Sequence, residues 1–188
     1  DKHTGYIKLN RFAASSANEF REALEKLRKE GLKNLILDLQ GNGGGYLNIA
    51  IELADEFLEK QRLIVYTKGS KQAREEAHST SRGQFQEGRL VILVDESSAS
   101  ASEIVTGAVQ DWDRGVVVGR RTFGKGLVQK PIPLPDGAMI RLTVSRYYTP
   151  TGRCIQKPYE QGNLEAYRHD LIDRYNRGEL MTADSIHF

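Results

Sequence analysis

Leu35-Ile36-Leu37-Asp38-Leu39-Gln40-Gly41-Asn42-Gly43-Gly44-Gly45 is the stretch that decides the fold. A nearly continuous apolar run enters a glycine cluster, and an amphipathic segment follows from about Leu47 through Ile49, Ile51, Leu53, Ala54, Phe57 and Leu58. An apolar run without alternation reads as a strand buried on both faces, the pattern of a parallel sheet covered by helices. The same logic extends outward. Upstream, Tyr6-Ile7-Lys8-Leu9 is a first strand. Ser16-Ala17-Asn18-Glu19 then has the spacing of a capping box, Phe20, Ala23, Leu24 and Leu27 recur at helical spacing, and Gly31 is placed as a C-cap. Downstream, Leu63–Thr67, Leu90–Val94 and Val116–Gly119 read as strands, and Ala99–Gln110 as a helix of small residues. Lys68–Gly88 is polar and weakly patterned, so a loop or arm is expected. Pro135-Asp136-Gly137 joins two strands, from about Leu127 to Leu134 and from Ala138 to Tyr148, into a hairpin. A polar helix with Leu164, Tyr167, Leu171 and Tyr175 on one side closes the chain. Strands alternating with helices predict an α/β fold with a mainly parallel sheet, a late antiparallel hairpin and a C-terminal helix.

Composition narrows the function classes. A length of 188 residues fits one domain with room for an appendage, and 39% hydrophobic residues suffice for a core. Lys+Arg number 27 against 25 Asp+Glu, so no basic stripe argues for nucleic acid. The single cysteine, Cys154, excludes an internal disulfide framework and any multi-cysteine metal site. No apolar run reaches the roughly 18 residues of a membrane-spanning helix. The chain opens at Asp1 without a basic-then-apolar leader and closes on Asp184-Ser185-Ile186-His187-Phe188, and both ends read as cut from something longer.

Three segments can carry chemistry. The glycine cluster sits between strand and helix, where phosphate loops occur. Tyr46 stands where the dinucleotide fingerprint needs its third glycine, and no Gly-Lys-Ser/Thr follows, so both nucleotide patterns fail. A tight turn accounts for the glycines. So does a backbone that approaches a ligand and offers N–H groups to an anion or an oxyanion. The second segment is Asp95-Glu96-Ser97-Ser98-Ala99-Ser100-Ala101-Ser102-Glu103. One serine is expected to cap the helix, but four serines exceed what capping needs, and a hydroxyl at a helix start lies in a field favouring negative charge. The third is Thr122-Phe123-Gly124-Lys125-Gly126-Leu127-Val128-Gln129. A lysine between glycines is commonly a solvated turn residue. In an extended segment, however, Lys125 and Gln129 share a face.

Serine with lysine is a workable nucleophile and base. The amine, with a reference pKa near ~10.4, must be lowered by several units, and Phe123, Leu127 and Ala99 are candidates for an apolar wall around it. The histidines give no rival: His3 and His187 lie near the termini, His78 in the polar arm and His169 on the last helix, with no metal-ligand spacing. No metal and no cofactor is expected. Cys154 has no histidine nearby and reads as an incidental thiol.

Together these segments resemble the C-terminal processing peptidases, or tail-specific proteases. The resemblance rests on Leu35–Gly45, on Ser98-Ala99-Ser100-Ala101-Ser102-Glu103-Ile104, on Gln110-Asp111, and on Gly119 with Thr122–Gly126 and Gln129, and extends more weakly from about Gly5 to Pro158. It implies a crotonase- and Clp-like ββα superhelix, with residues 1–158 as peptidase core and 159–188 as a truncated helical extension. It implies a serine endopeptidase with Ser100 as nucleophile, Lys125 as general base and Gln129 orienting the amine. The oxyanion hole would use backbone N–H groups of Ala101 and of Gly43 or Gly44, with Asp111 supportive. The substrate would be a protein or peptide, cut at or near its C-terminus, among exported or cell-envelope proteins. An extracytoplasmic address, in the periplasm or envelope, follows from the family alone, as do oligomer formation and membrane association through regions outside this chain. Two features depart from the family: Gln40 stands where arginine is common, and no PDZ module is visible. A non-catalytic binding module on the same fold and a crotonase-type acyl-CoA enzyme are the competing readings. The second lacks the carboxylate base such enzymes need, and fold alone does not fix function.

Overall fold

The computed structural model describes residues 2–159 and 164–181. Residues up to Gln156 form one compact unit and those from Lys157 onward a second. In chain order the first contains β1 (Thr4–Lys8), α1 (Ser16–Lys29), β2 (Asn34–Asp38), α2 (Leu47–Asp55), β3 (Leu63–Lys68), β4 (Glu75–His78), β5 (Arg89–Val94), α3 (Ala101–Asp111), β6 (Val116–Gly119), β7 (Leu127–Pro133) and β8 (Met139–Tyr148).

The expected parallel sheet is present, in the order β1-β2-β5-β6. Its register sets Ile7, Leu37, Ile92 and Val117 in one row across the strands. That face joins a core containing Phe20 and Leu24 of α1, Ala50 and Leu53 of α2, and Ile104, Val105 and Ala108 of α3. Each fully buried leucine here stabilises the fold by about 1.5–3 kcal/mol. The other face departs from the expectation of strands buried on both sides. Its central row is Tyr6, Ile36, Val91 and Val116, of which Tyr6 is 54% and Val116 62% exposed. Helices α1, α2 and α3 all contribute to the core on the first face.

A second sheet, antiparallel and ordered β4-β3-β8-β7, contains the expected hairpin and two elements that the sequence disguised. Strand β3 does not join the parallel sheet. Tyr66 lies opposite Tyr148 of β8, and their rings stack at 4.9 Å, a cross-strand aromatic pair that holds β3 to the hairpin. Strand β4 arises inside the segment expected to be a loop. Its residues are mostly polar, and it is held by backbone pairing to β3, with the Arg74 guanidinium over the Tyr66 ring at 3.8 Å.

At the ends of α1 the sequence reading was half right. The capping box does not form: Ser15 is the N-cap and makes no side-chain cap bond. The Ser16 hydroxyl instead accepts from the Ala13 N–H and donates to the Arg11 carbonyl, both at 3.0 Å. The C-terminus closes as a Schellman motif. Gly31, at φ 89°, donates to the Arg28 carbonyl at 3.0 Å, and Leu32 donates to that of Leu27 at 3.1 Å.

The second unit contains α4 (Leu164–Asn176). Within it the Lys157 amine pairs with Asp170 at 3.2 Å, and Arg174 Nε with Glu179 at 2.8 Å. Of the expected stripe, Tyr167 is half-buried, Leu171 and Tyr175 are exposed, and the Leu164 side chain lies outside the described residues, as does His187.

Candidate active site

Strands β2 and β5 end side by side, and the glycine turn after β2 faces the serine run after β5. Asn42 is the clamp between them, and it is fully buried. Its Nδ2 donates to the Leu9 carbonyl at 2.7 Å, and its Oδ1 accepts the Gly44 N–H at 2.9 Å. Its backbone carbonyl accepts the Ala99 N–H at 3.0 Å and the Ser102 hydroxyl at 2.9 Å. Asp95 fastens the turn from the other side, accepting from the N–H groups of Gly41, Ser97 and Ser98. Gly44 touches the serine run itself. It has φ 98°, and a Cβ there would lie 2.7 Å from the Ala99 carbonyl oxygen, 2.9 Å from Ser100 Cβ and 3.0 Å from the Ala101 nitrogen. The close approach permitted by glycine is thus used directly beside Ser100. The bond to Asn42 removes the Gly44 N–H from the oxyanion-hole candidates. Among the described residues, the N–H groups of Gly43 and Ala101 donate no hydrogen bond.

The structure also sorts the serines. Ser98 and Ser102 are buried, and their hydroxyls are committed to the carbonyls of Leu39 (2.8 Å) and Asn42. Ser97 is exposed on the turn. Ser100 is half-buried at the N-cap of α3, with φ 55° and ψ −109°. A side chain with a Cβ seldom adopts this conformation, and a residue held in it stores strain of about 1–3 kcal/mol, most often at a functional position.

Glu103, in the first turn of α3, connects this serine to the third segment. The carboxylate is buried, and all its donors are neutral. Its Oε1 accepts the Thr122 hydroxyl at 2.7 Å and the Gly124 N–H at 2.6 Å. Its Oε2 accepts the Ser100 N–H at 2.8 Å and the Lys125 N–H at 2.9 Å. Two nitrogens bonded to one oxygen are at most about 6 Å apart. Ser100 and Lys125 are therefore neighbours at the level of the backbone. The Phe123 N–H adds a bond to the Ser98 carbonyl at 3.0 Å.

The lysine side chain differs from expectation. Lys125 is exposed, Phe123 is 38% exposed, and the apolar wall is not closed around the amine. Lys125 lies two residues before β7, in irregular backbone, so strand alternation does not place it beside Gln129, which is also exposed. Among the described residues no hydrogen bond joins the Lys125 amine to Ser100 or to Gln129.

Asp111 stands at the far end of α3, roughly 16 Å from Ser100 by helical rise. It accepts from the Thr151 N–H at 2.9 Å, from the Thr151 hydroxyl at 2.7 Å and from the Arg153 guanidinium. Burial opposes its charge. The donors gathered from the Thr149–Arg153 turn outweigh that opposition and hold its carboxyl below the ordinary range. Around Gln40 a local anchor is built without arginine. Asp38 accepts the Tyr6 hydroxyl at 2.5 Å, the Lys8 amine at 3.1 Å and the Gln40 N–H at 2.8 Å. Burial again raises its pKa, and these bonds lower it further than burial raises it. His3, His78 and His169 are exposed, as is the free Cys154. Among the described residues, no cluster of three or more His, Cys, Asp or Glu could hold a metal ion. No helix among them is long and apolar enough to cross a membrane.

Sequence reasoning missed Asn42 and Glu103. Both stood inside the quoted motifs. Ser100-x-x-Glu103 has capping-box spacing, and the Ser100 N–H does bond to the Glu103 carboxylate. The other partners of Glu103, and the Leu9 and Ser102 partners of Asn42, lie 19 to 60 positions away and no local spacing signals them.

Comparison with known proteins places the chain in a family. The profile of Peptidase family S41 matches residues 3–163. A carboxyl-terminal-processing protease of Picosynechococcus sp. is 44% identical over 153 residues, which is 81% of this chain and 36% of that protein. A probable CtpA-like serine protease of Staphylococcus aureus (strain N315) is 38% identical over 154 residues, 80% of this chain and 31% of that protein. Among solved structures, the photosystem II D1 C-terminal processing protease superposes with a TM-score of 0.76 at 35% identity, covering 81% of this chain and 39% of that one. The chain thus spans about a third of the length of the curated relatives it matches.

Proposed function

The chain belongs to Peptidase family S41, and on that premise we propose that it is the catalytic core of a serine endopeptidase with Ser100 as nucleophile and Lys125 as general base. One observation carries the assignment: the N–H groups of Ser100 and Lys125 share one oxygen of Glu103, which brings together two residues 25 positions apart in the chain.

The Lys125 amine, in its neutral form, takes the proton of Ser100 Oγ as that oxygen attacks the scissile carbonyl. The oxyanion that forms is received by the N–H groups of Ala101 and Gly43, and Gly44 keeps the approach clear. Lys125 then gives its proton to the leaving amine. Water, deprotonated by the same lysine, releases the acyl group from Ser100. The amine is exposed before substrate binds. A peptide lying over it removes it from water, and burial is what favours the neutral form. Gln129 orients the amine once it has turned toward Ser100.

The substrates are proteins or peptides cut at or near their C-termini. The names of the two carboxyl-terminal processing relatives support this reading. An extracytoplasmic setting and substrates from the cell envelope complete the proposal. Its test is peptide hydrolysis together with fluorophosphonate labelling. Wild-type protein is expected to be modified at Ser100, and Lys125→Ala to be modified far more slowly and to cleave nothing. Undiminished labelling and cleavage by Lys125→Ala would sink the Ser/Lys assignment.

A further inference from the structure

We propose that Glu103 is a positioning residue for this reaction: it sets the nucleophile and the base against each other by holding the backbone of both. The inference rests on the Ser/Lys reading above and deepens it.

The argument begins with the capacity of a carboxylate. It offers four acceptor sites and no donor. At Glu103 four bonds fill them, from the Ser100 N–H, the Lys125 N–H, the Gly124 N–H and the Thr122 hydroxyl. Among the described residues no Lys, Arg or His side chain pairs with this carboxylate. A buried charge without a counter-ion persists only when its hydrogen bonds are complete. The dependence is reciprocal. Thr122–Lys125 is irregular backbone with Gly124 at φ 83°, and three of its bonds end on Glu103. Ser100, at φ 55°, gives its N–H to the same group. The glutamate therefore stabilises the strained serine and fixes the point from which the lysine side chain starts.

The sign of the charge separates positioning from electrostatics. A negative charge at this place favours protonated lysine and opposes a serine alkoxide, and both effects slow the reaction. If charge dominated, replacing Glu103 would accelerate catalysis. If position dominates, the replacement slows it.

Glu103→Gln discriminates the two, because the amide keeps the size, loses the charge and turns two acceptor sites into donors facing N–H groups. The expected result is a fall of about 10²-fold in kcat with KM changed less than about threefold, the scale on which a misplacement of about 1 Å acts. Thr122→Val should lower kcat by a smaller factor, and Thr122→Ser should restore it. In the Lys125→Ala background, Glu103→Gln should slow Ser100 labelling by a fluorophosphonate by a much smaller factor than it does in the wild type, since with the base gone only its hold on Ser100 still matters. Amide hydrogen exchange gives a readout that does not need turnover: Gly124 and Lys125 should be protected in the wild type and lose protection in Glu103→Gln. A kcat within about twofold of wild type, a faster enzyme, a full additional loss on top of Lys125→Ala, or unchanged amide protection would each overturn the proposal. The underlying reading fails separately: if Lys125→Ala alone labels at the wild-type rate, the Ser/Lys pair is wrong whatever Glu103 does.

Discussion

In the first turn of α3, Glu103 gathers four neutral donors around Ser100 and the Thr122–Lys125 segment. At the last residue of the same helix, roughly 12 Å further along its axis, Asp111 gathers the Thr151–Arg153 turn. Both carboxylates pin a distant piece of chain to one rigid helix. They differ in what surrounds them. Asp111 has a cation, Arg153, and the two residues whose groups it holds, Thr151 and Arg153, are not at positive φ. Glu103 has no cation, and the nitrogen it holds belongs to a residue at φ 55°. A site selected for stability alone would resemble the Asp111 end. Strain with complete hydrogen bonding, as at the Ser100 end, is the signature of a position kept for chemistry.

The contrast can be tested from the nucleophile outward. Ser100→Ala and Ser100→Gly should both abolish peptide cleavage. Because only alanine retains the strain, the glycine variant should be the more stable of the two by about 1 kcal/mol, read as a Tm difference of a few degrees. Equal melting temperatures would remove strain from the account. Next in size is the glycine turn. Gly44→Ala places a methyl 2.7 Å from the Ala99 carbonyl and should cost about 2–4 kcal/mol in urea denaturation along with the activity. At Gly43 a Cβ meets nothing within 4 Å, so Gly43→Ala should melt close to wild type.

At the other end, Asp111→Asn should lower stability at neutral pH without relieving any strain. The Asp111 carboxyl is depressed in the folded state, so its contribution is present above the unfolded value of about 3.9 and is lost as pH falls through the lower folded value. Denaturation midpoints of the two proteins should therefore converge below about pH 4. A gap that stays constant as pH falls well below that value would mean that the charge is not what Asp111 contributes. The smallest effect is expected midway. In Gly107→Ala the new methyl falls 2.7 Å from Thr149 Cγ2, a buried neighbour, and that crowding opposes a helix-propensity gain of about 1 kcal/mol. A net loss of less than about 1 kcal/mol should result. A clear gain in Tm would show that the Thr149 turn yields freely and anchors Asp111 only loosely.

Much of the fold was legible because it is written in local periodicities. The apolar runs at Leu35–Leu39 and Leu90–Val94, the Gly31 helix stop and the Pro135-Asp136-Gly137 hairpin each depend on residues a few positions apart. Failures occurred where a partner lies far off. Leu63–Thr67 reads as a strand for any sheet, and only the stacking of Tyr66 on Tyr148 assigns it to the antiparallel one. Glu75–His78 becomes a strand because β3 offers it backbone partners, which its own polar residues do not announce. Ser16 is a local exception: its hydroxyl had the spacing for a cap, but Ala13 and Arg11, three and five residues back, were better placed to take it.

The candidate site divides in the same way. By itself the sequence determined the residue types: a glycine turn after one apolar strand, a serine run opening a helix after another, and a lysine between glycines. Local chemistry suffices there, since glycine is needed where a backbone comes close and a hydroxyl gains at a helix start. Only the tertiary structure decided how the site is joined. It buried Ser98 and Ser102 against distant carbonyls and left Ser100 at the strained N-cap. It gave the Gly44 N–H to Asn42, and it used Glu103 to bring Lys125 beside Ser100. The Gly44 and Ser100 bonds are local, but the others join residues 22 to 60 positions apart, and such bonds exist only after the chain has closed on itself.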